Sequence, residues 1–134
     1  MILQDILYKV SIRSVKGNTG IEINGLHIDS RKVKPGDCFI ALKGTKTNGD
    51  EFIASAIEKG ATAIICEALP SVINEAVTYV QVDSTAEAVG YMSHNFCGEP
   101  SLKLKLVGVT GTNGKTTIAT LLWKLFTALG YKCG

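Results

Sequence analysis

The stretch that decides the reading is Leu104-Lys105-Leu106-Val107-Gly108-Val109-Thr110-Gly111-Thr112-Asn113-Gly114-Lys115-Thr116-Thr117. An apolar, β-branched run feeds a glycine-rich turn, and the turn feeds a segment of helical spacing, so strand, loop and helix are expected in direct succession. That is the layout of a phosphate-binding loop. Main-chain N–H groups freed by the glycines and the positive end of the following helix make a concavity for a polyphosphate. On this reading Gly111, Thr112, Asn113, Gly114, Lys115, Thr116 and Thr117 hold the phosphates of a nucleotide. Lys115 reaches the outer phosphates as a point charge and acts in catalysis, and the Thr116 hydroxyl ligates the Mg2+ that travels with the nucleotide. The usual pattern has a glycine four residues before the Gly-Lys pair; Val109 stands there, and the glycines sit at Gly108 and Gly111.

Outward from this loop, composition sets limits. The chain has 134 residues, enough for one ordinary domain or a domain plus part of another, and 46% of them are hydrophobic. With 14 basic against 12 acidic residues and no run of Lys or Arg, nothing marks a nucleic acid or membrane surface as partner. Gln4, Asp5 and Lys9 interrupt the amino terminus, so it lacks the apolar core of a signal peptide, and a cytoplasmic protein is expected. Cys38, Cys66, Cys97 and Cys133 are far apart and without metal-site spacing, which predicts free thiols. His27 and His94 are isolated and carry no predicted role.

In chain order, Ile2, Leu3, Ile6, Leu7 and Val10 predict a short opening helix, and Ser11 to Gly25 reads as loop with a short strand at Ile21 to Ile23. Leu26 to Ile28 predicts a strand ending at Asp29-Ser30-Arg31, and Pro35-Gly36 a turn. Cys38 to Leu42, Ala61 to Cys66 and Val77 to Val82 are strand-like; the first is apolar without alternation, the mark of a strand covered on both faces. Phe52, Ile53, Ala56 and Ile57 define a helix from Asp50 to a cap at Gly60. Ser84 and Glu87 form a capping-box pattern ahead of the stripe Ala88, Val89, Met92, Phe96. The last helix runs from Lys115 to Leu129, with Gly130 as cap. A boundary near Pro100 divides the chain into residues 1–100 and 101–134. The expected class is α/β: a small Rossmann-like sheet domain flanked by helices, followed by the first strand, P-loop and helix of a truncated ATPase domain.

The run Gly108 to Thr117 resembles the ATP-binding signature of the Mur ligases, whose loop has this glycine placement. Asp29-Ser30-Arg31, Pro35-Gly36-Asp37, Phe39-Ile40-Ala41-Leu42, Gly44, Asn48-Gly49, Phe52-Ile53, Ala56-Ile57 and Gly60-Ala61 resemble the amino-terminal domain of the same family. Block order, and Asn113 in the loop, are closest to the E-type branch, which adds the third residue of the peptidoglycan stem peptide. The resemblance implies an ATP-dependent amide-forming ligase: ATP phosphorylates the terminal carboxylate of UDP-N-acetylmuramoyl-L-alanyl-D-glutamate, and a diamino acid, meso-diaminopimelate before L-lysine, attacks the acyl phosphate. It implies ATP and Mg2+ as co-substrates and no obligate protein partner. It also places the uridine substrate on Ile28, Ser30, Thr45, Lys46 and Thr47, the last three standing where the E-type pattern often has His-Gln-Ala. An amino-terminal fragment, inactive by itself, is the expectation. The alternatives are a fragment of the F-type branch and a non-catalytic nucleotide-binding module.

Overall fold

The computed structural model describes residues 1–43 and 49–134, which form two compact units, Met1–Leu102 and Lys103–Gly134. The first is built on a five-stranded sheet of order β1-β5-β4-β3-β2, comprising β1 (Ile12–Lys16), β2 (Leu26–His27), β3 (Cys38–Ile40), β4 (Ala63–Cys66) and β5 (Thr78–Val82). Strands β2 to β5 are mutually parallel, and β1 runs antiparallel along the free side of β5. In register, Phe39 pairs with Ile64 and Ile64 with Tyr79, so these three make an apolar row across the central strands.

Because successive side chains of a strand point to opposite faces, the unbroken apolar runs feed two cores. Cys38, Ile40, Ala63, Ile65, Val80 and Val82 face Leu3, Ile6 and Leu7 of the opening segment together with Ala88 and Met92. Phe39, Ala41, Ile64, Cys66 and Tyr79 face Ile53, Ala56, Ala61 and Val33. The first core is closed by α1 (Leu3–Ile6) and α3 (Thr85–Phe96), the second by α2 (Ile53–Glu58). Burying each large aliphatic side chain contributes roughly 1.5–3 kcal/mol, which gives the sheet its stability from both sides.

The helices end alike. At α2 the N–H of Gly60 bonds to Ile57 O and that of Ala61 to Ala56 O; at α3 Gly98 bonds to Asn95 O and Glu99 to His94 O. Both glycines have positive φ, +96° and +72°, which a β-carbon would oppose. Ser84 caps the start of α3, its hydroxyl accepting from the N–H of Glu87 at 3.3 Å. The Pro35-Gly36 turn forms with Gly36 at φ +88° and Asp37 N bonded to Lys34 O.

Two expectations are corrected. Ser11 to Gly25 contains a true strand, β1, which has one neighbour and little burial on either face. Its membership rests on the ladder to β5, on Ser14 Oγ donating to Gln81 Oε1 at 3.0 Å and on the Arg13–Asp83 ion pair. No apolar pattern announces such an edge strand. Ile23 is buried, but around it only Ile2 and Glu22 bridge. The second correction concerns the strand expected to feed the glycine-rich turn. Residues 105–110 belong to no ladder, and the turn of helix α4 (Pro100–Lys103) stands at the boundary expected near Pro100. A strand exists by pairing, and the described residues offer this run no partner.

The second unit carries α5 (Lys115–Ala128). It closes as the other two helices do: Gly130 N bonds to Thr127 O and Tyr131 N to Phe126 O, with Gly130 at φ +88°. The rings of Phe126 and Tyr131 meet edge to face with centroids 5.9 Å apart, the apolar contact that accompanies this cap.

Candidate functional site

In a parallel sheet every strand presents its carboxyl end at the same edge, where open α/β folds bind ligands. The pairing of β2 with β3, β3 with β4 and β4 with β5 therefore sends Ile28 to Arg31, Ala41 to Lys43, Glu67 and Asp83 to Thr85 off one edge. Ile28 and Ser30, predicted uridine contacts, are both there. Ile28 is 56% exposed, whereas Ser30 is 6% exposed and its carbonyl accepts from Lys59 Nζ at 3.1 Å. Thr45, Lys46 and Thr47 lie outside the described residues.

Asp29 starts the 3-10 turn Ser30–Lys32, accepting from Arg31 N at 3.0 Å. Arg31 also grips the same carboxylate in bidentate fashion, Nε to Oδ1 at 2.9 Å and a terminal nitrogen to Oδ2 at 2.8 Å. These bonds hold the Asp29 carboxyl well below the usual carboxylate range. The edge thus keeps an ionised Asp29 and a pre-oriented, solvent-facing guanidinium. Behind the turn, His27 Nε2 lies 3.0 Å from Oδ2 of the buried Asp37, which also accepts from Lys34 N at 2.9 Å. Sequence reading assigned His27 no role; here it braces the Pro35-Gly36 turn.

A second group at this edge had no sequence signal beyond the capping box at Ser84. Thr85 is fully buried. Its N–H and hydroxyl both reach Glu67 Oε1, at 2.9 and 3.0 Å, and its Oγ1 accepts from Lys43 N at 3.2 Å. The main-chain bond from Thr85, supported by its hydroxyl and by the nearby Lys43 and Arg13 charges, lowers the Glu67 carboxyl. Lys43 Nζ stands 4.0 Å from Glu67 Oε2. Gly49, at the other end of the undescribed segment, bonds through its N–H to Leu42 O.

In the second unit Gly111 and Gly114 both have positive φ, +147° and +77°. Gly114 is the residue before α5, and its carbonyl takes the first helical bond, from Ile118 N. No side chain caps this helix start, so its free N–H groups stay open. Lys115 Nζ folds back over the loop, 2.8 Å from Gly111 O and 3.3 Å from Thr112 O. Thr112, Asn113, Thr116 and Thr117 are exposed, and Thr120 Oγ1 donates to Thr116 O at 2.8 Å. An uncapped helix start, two left-handed glycines and one lysine over the turn are the chemistry that favours an anion. Among the described residues no group of three His, Cys, Asp or Glu side chains could hold a metal ion.

A five-stranded, largely parallel sheet flanked by helices, followed by a glycine-rich loop and a further helix, makes this an α/β protein. The sequence profile of the Mur ligase family, described as its catalytic domain, matches residues 22–97, and the chain belongs to that family. The matched stretch lies in the first unit and ends before the glycine-rich loop. The UDP-N-acetylmuramoyl-L-alanyl-D-glutamate–2,6-diaminopimelate ligase of Bacteroides fragilis is 54% identical over 134 residues, covering all of this chain and 28% of that protein. A solved structure of a ligase of the same name superposes with a TM-score of 0.63 at 27% identity, over 99% of this chain and 26% of its own. The MurF ligase of Thermotoga maritima, solved in complex with ADP, gives a TM-score of 0.53 at 29% identity over 78% of this chain and 23% of its own. The chain spans little more than a quarter of the length of the curated relatives it matches.

Proposed function

We propose that this chain is the amino-terminal part of a cytoplasmic E-type Mur ligase, carrying a uridine-nucleotide unit, residues 1–100, and the start of the ATP-binding unit, residues 101–134. The whole enzyme uses ATP to activate the terminal carboxylate of UDP-N-acetylmuramoyl-L-alanyl-D-glutamate and joins it to a diamino acid, meso-diaminopimelate, in peptidoglycan synthesis. The observation that carries this reading is the 54% identity, from end to end of the chain, to a relative named for that reaction. Among the described residues no helix is long and apolar enough to cross a membrane.

Ile28, Ser30, Thr45, Lys46 and Thr47 contact the uridine substrate, the first two at the carboxyl edge of the sheet. Gly111, Thr112, Asn113, Gly114, Lys115, Thr116 and Thr117 receive ATP. The arrangement fits: among the described residues Lys115 is held by loop carbonyls, which phosphate oxygens can replace, and the exposed Thr116 follows it on α5. Mg2+ bound with the nucleotide supplies charge neutralisation, and Thr116 contributes one hydroxyl to it. The ADP held by the Thermotoga relative supports this assignment.

Calorimetry of the chain with UDP or UMP tests the uridine half. Weak binding at millimolar nucleotide is expected; no heat would count against it. No ATP turnover is expected from the chain alone with any amino acid, and measurable phosphate release would refute its reading as a catalytically incomplete fragment. In the full-length enzyme, amide formation from the UDP-linked dipeptide with meso-diaminopimelate but not D-alanyl-D-alanine separates the E-type from the F-type reading.

A further inference from the structure

We propose that the outer face of α3 carries a further binding site, for a linear alkyl amine with an ammonium group at each end, in a cavity of about 400 Å³ within the first unit. One wall comes from α3, where Glu87, Gly90, Tyr91 and His94 recur at i, i+3, i+4 and i+7 and so share a face. Lys9, which follows α1, and Glu99 and Ser101, at the start of α4, complete it.

Two features open this cavity to a ligand. Gly90 stands in the interior of a helix, where glycine is unfavourable, and a β-carbon built on it would meet nothing within 4 Å. Bare backbone thus leaves a gap in the middle of the stripe, and an extended chain can lie in it. The second feature is Asn95, which is only 8% exposed. Its amide nitrogen spends both hydrogens on Ile6 O and Tyr8 O, which fixes the other atom as Oδ1. Among the described residues that oxygen accepts no hydrogen bond, and no partnerless polar side-chain atom is buried, so Oδ1 is open to the cavity that Asn95 lines. Lys9 and Glu99, on the remaining walls, are also the described non-glycine residues with positive φ, +64° and +55°, a strain that gathers at ligand sites.

The charge of the walls selects the ligand. The Glu87 and Glu99 carboxylates have neither hydrogen bond nor ion pair among the described residues. His94 Nε2 and Ser101 Oγ satisfy each other at 2.5 Å, and the Lys9 ammonium stands over Tyr8, which does not line the cavity, 5.2 Å from the ring centroid. The unmet groups are therefore acceptors, two of them anionic, and the negative end of α3 adds to the same sign. An ammonium group is all donor and carries the opposite charge. Glu87 and Asn95 are about 12 Å apart along the helix, too far for one ammonium to serve both. A chain with a charge at each end serves both, its methylenes lying on Gly90 and the half-exposed Tyr91 ring.

The test is a titration of the chain followed by two-dimensional amide NMR, at physiological ionic strength, where loose surface attraction is screened. Spermidine is expected to give saturable shifts at Gly90, Tyr91, Asn95 and Glu99. Triethylene glycol, of similar length without charge, should give none. N-acetyl-lysinamide offers one ammonium, as a protein lysine would, and is expected to bind about tenfold more weakly than spermidine. Gly90→Leu fills the gap with a better helix former, and the double variant E87Q/E99Q removes the charge outside the core; each should lose about tenfold in affinity for spermidine. Should Gly90→Leu fail to fold, the double variant decides. The proposal is overturned by spermidine shifts that are absent or scattered over other surface carboxylates, or by triethylene glycol shifting the same signals. It is equally overturned if N-acetyl-lysinamide binds as tightly as spermidine, or if either variant folds and binds spermidine as the unmodified chain does.

Discussion

Gly49 lies so close to Leu42 that a β-carbon added to it would stand 2.6 Å from Leu42 N and 2.5 Å from the carbonyl carbon of Ala41. Both neighbours are backbone on the chain just beyond β3, so neither can rotate away. Gly49→Ala must therefore push Gly49 and the Ala41–Leu42 backbone apart, an overpacking change that costs about 1–3 kcal/mol. A thermal melt followed by circular dichroism should drop by several degrees. An unchanged melting temperature would mean the approach is looser than this.

Asn95 ties α1 to α3. Its amide nitrogen donates to Ile6 O at 3.0 Å and to Tyr8 O at 2.7 Å, across 89 and 87 residues of sequence. These carbonyls end α1, which is too short to hold itself by helix propensity. Asn95→Ala leaves them without that donor and should destabilise the chain by about 2 kcal/mol. Urea denaturation is the measurement, with the midpoint falling and the slope unchanged.

How far the sequence reading reached follows from the same physics. Cys38 to Leu42, Ala61 to Cys66 and Val77 to Val82 were legible because a parallel strand buried on both faces must be continuously apolar. Gly60 and Gly130 mark helix ends because only a residue free of a β-carbon is at ease at their φ. Strand β1 was not legible, since its identity lies in the pairing of Ile12 with Val82 and Lys16 with Tyr79 rather than in its own pattern. The expected strand from Leu104 failed for the opposite reason: its residues favour a strand, but the described chain gives them nothing to pair with. At the site, Asp29-Ser30-Arg31 and the glycine loop were legible as motifs. The Glu67–Thr85–Lys43 network joins three residues distant in sequence through a main-chain group, and no spacing encodes it.

The four thiols should divide two against two. Cys38 and Cys66 are buried in the two cores, and Cys97 and Cys133 are exposed. Burial pushes the Cys66 thiol up to about 11, and it raises that of Cys38 as well, so neither forms thiolate near neutral pH. Native protein treated with Ellman's reagent at pH 8 is expected to release two equivalents of chromophore quickly, and the remaining two only after denaturant is added. Rapid reaction of more than two would show that the sheet opens on the time scale of the assay.

Acid should weaken the carboxyl edge through Glu67. Its folded-state pKa is lowered from 4.5, first by the main-chain bond from Thr85. A depressed carboxyl contributes stability that is fully present above the unfolded-state value and is lost as the pH falls through the folded-state one. Asp29 is depressed too, by Arg31, so the whole chain loses stability in acid and a single melt cannot separate the two. Glu67→Gln can. Glutamine keeps the side-chain length but does not titrate, so the variant should melt lower than the unmodified chain near pH 7, and the gap should close as the pH is taken below about 4.5. Because Glu67 is partly exposed, salt should shrink the gap as well, but only the share due to Lys43 and Arg13; the share due to the Thr85 hydrogen bonds should survive it. A gap that stays constant from pH 7 to pH 3 would mean that the charge on Glu67 is not what holds Thr85.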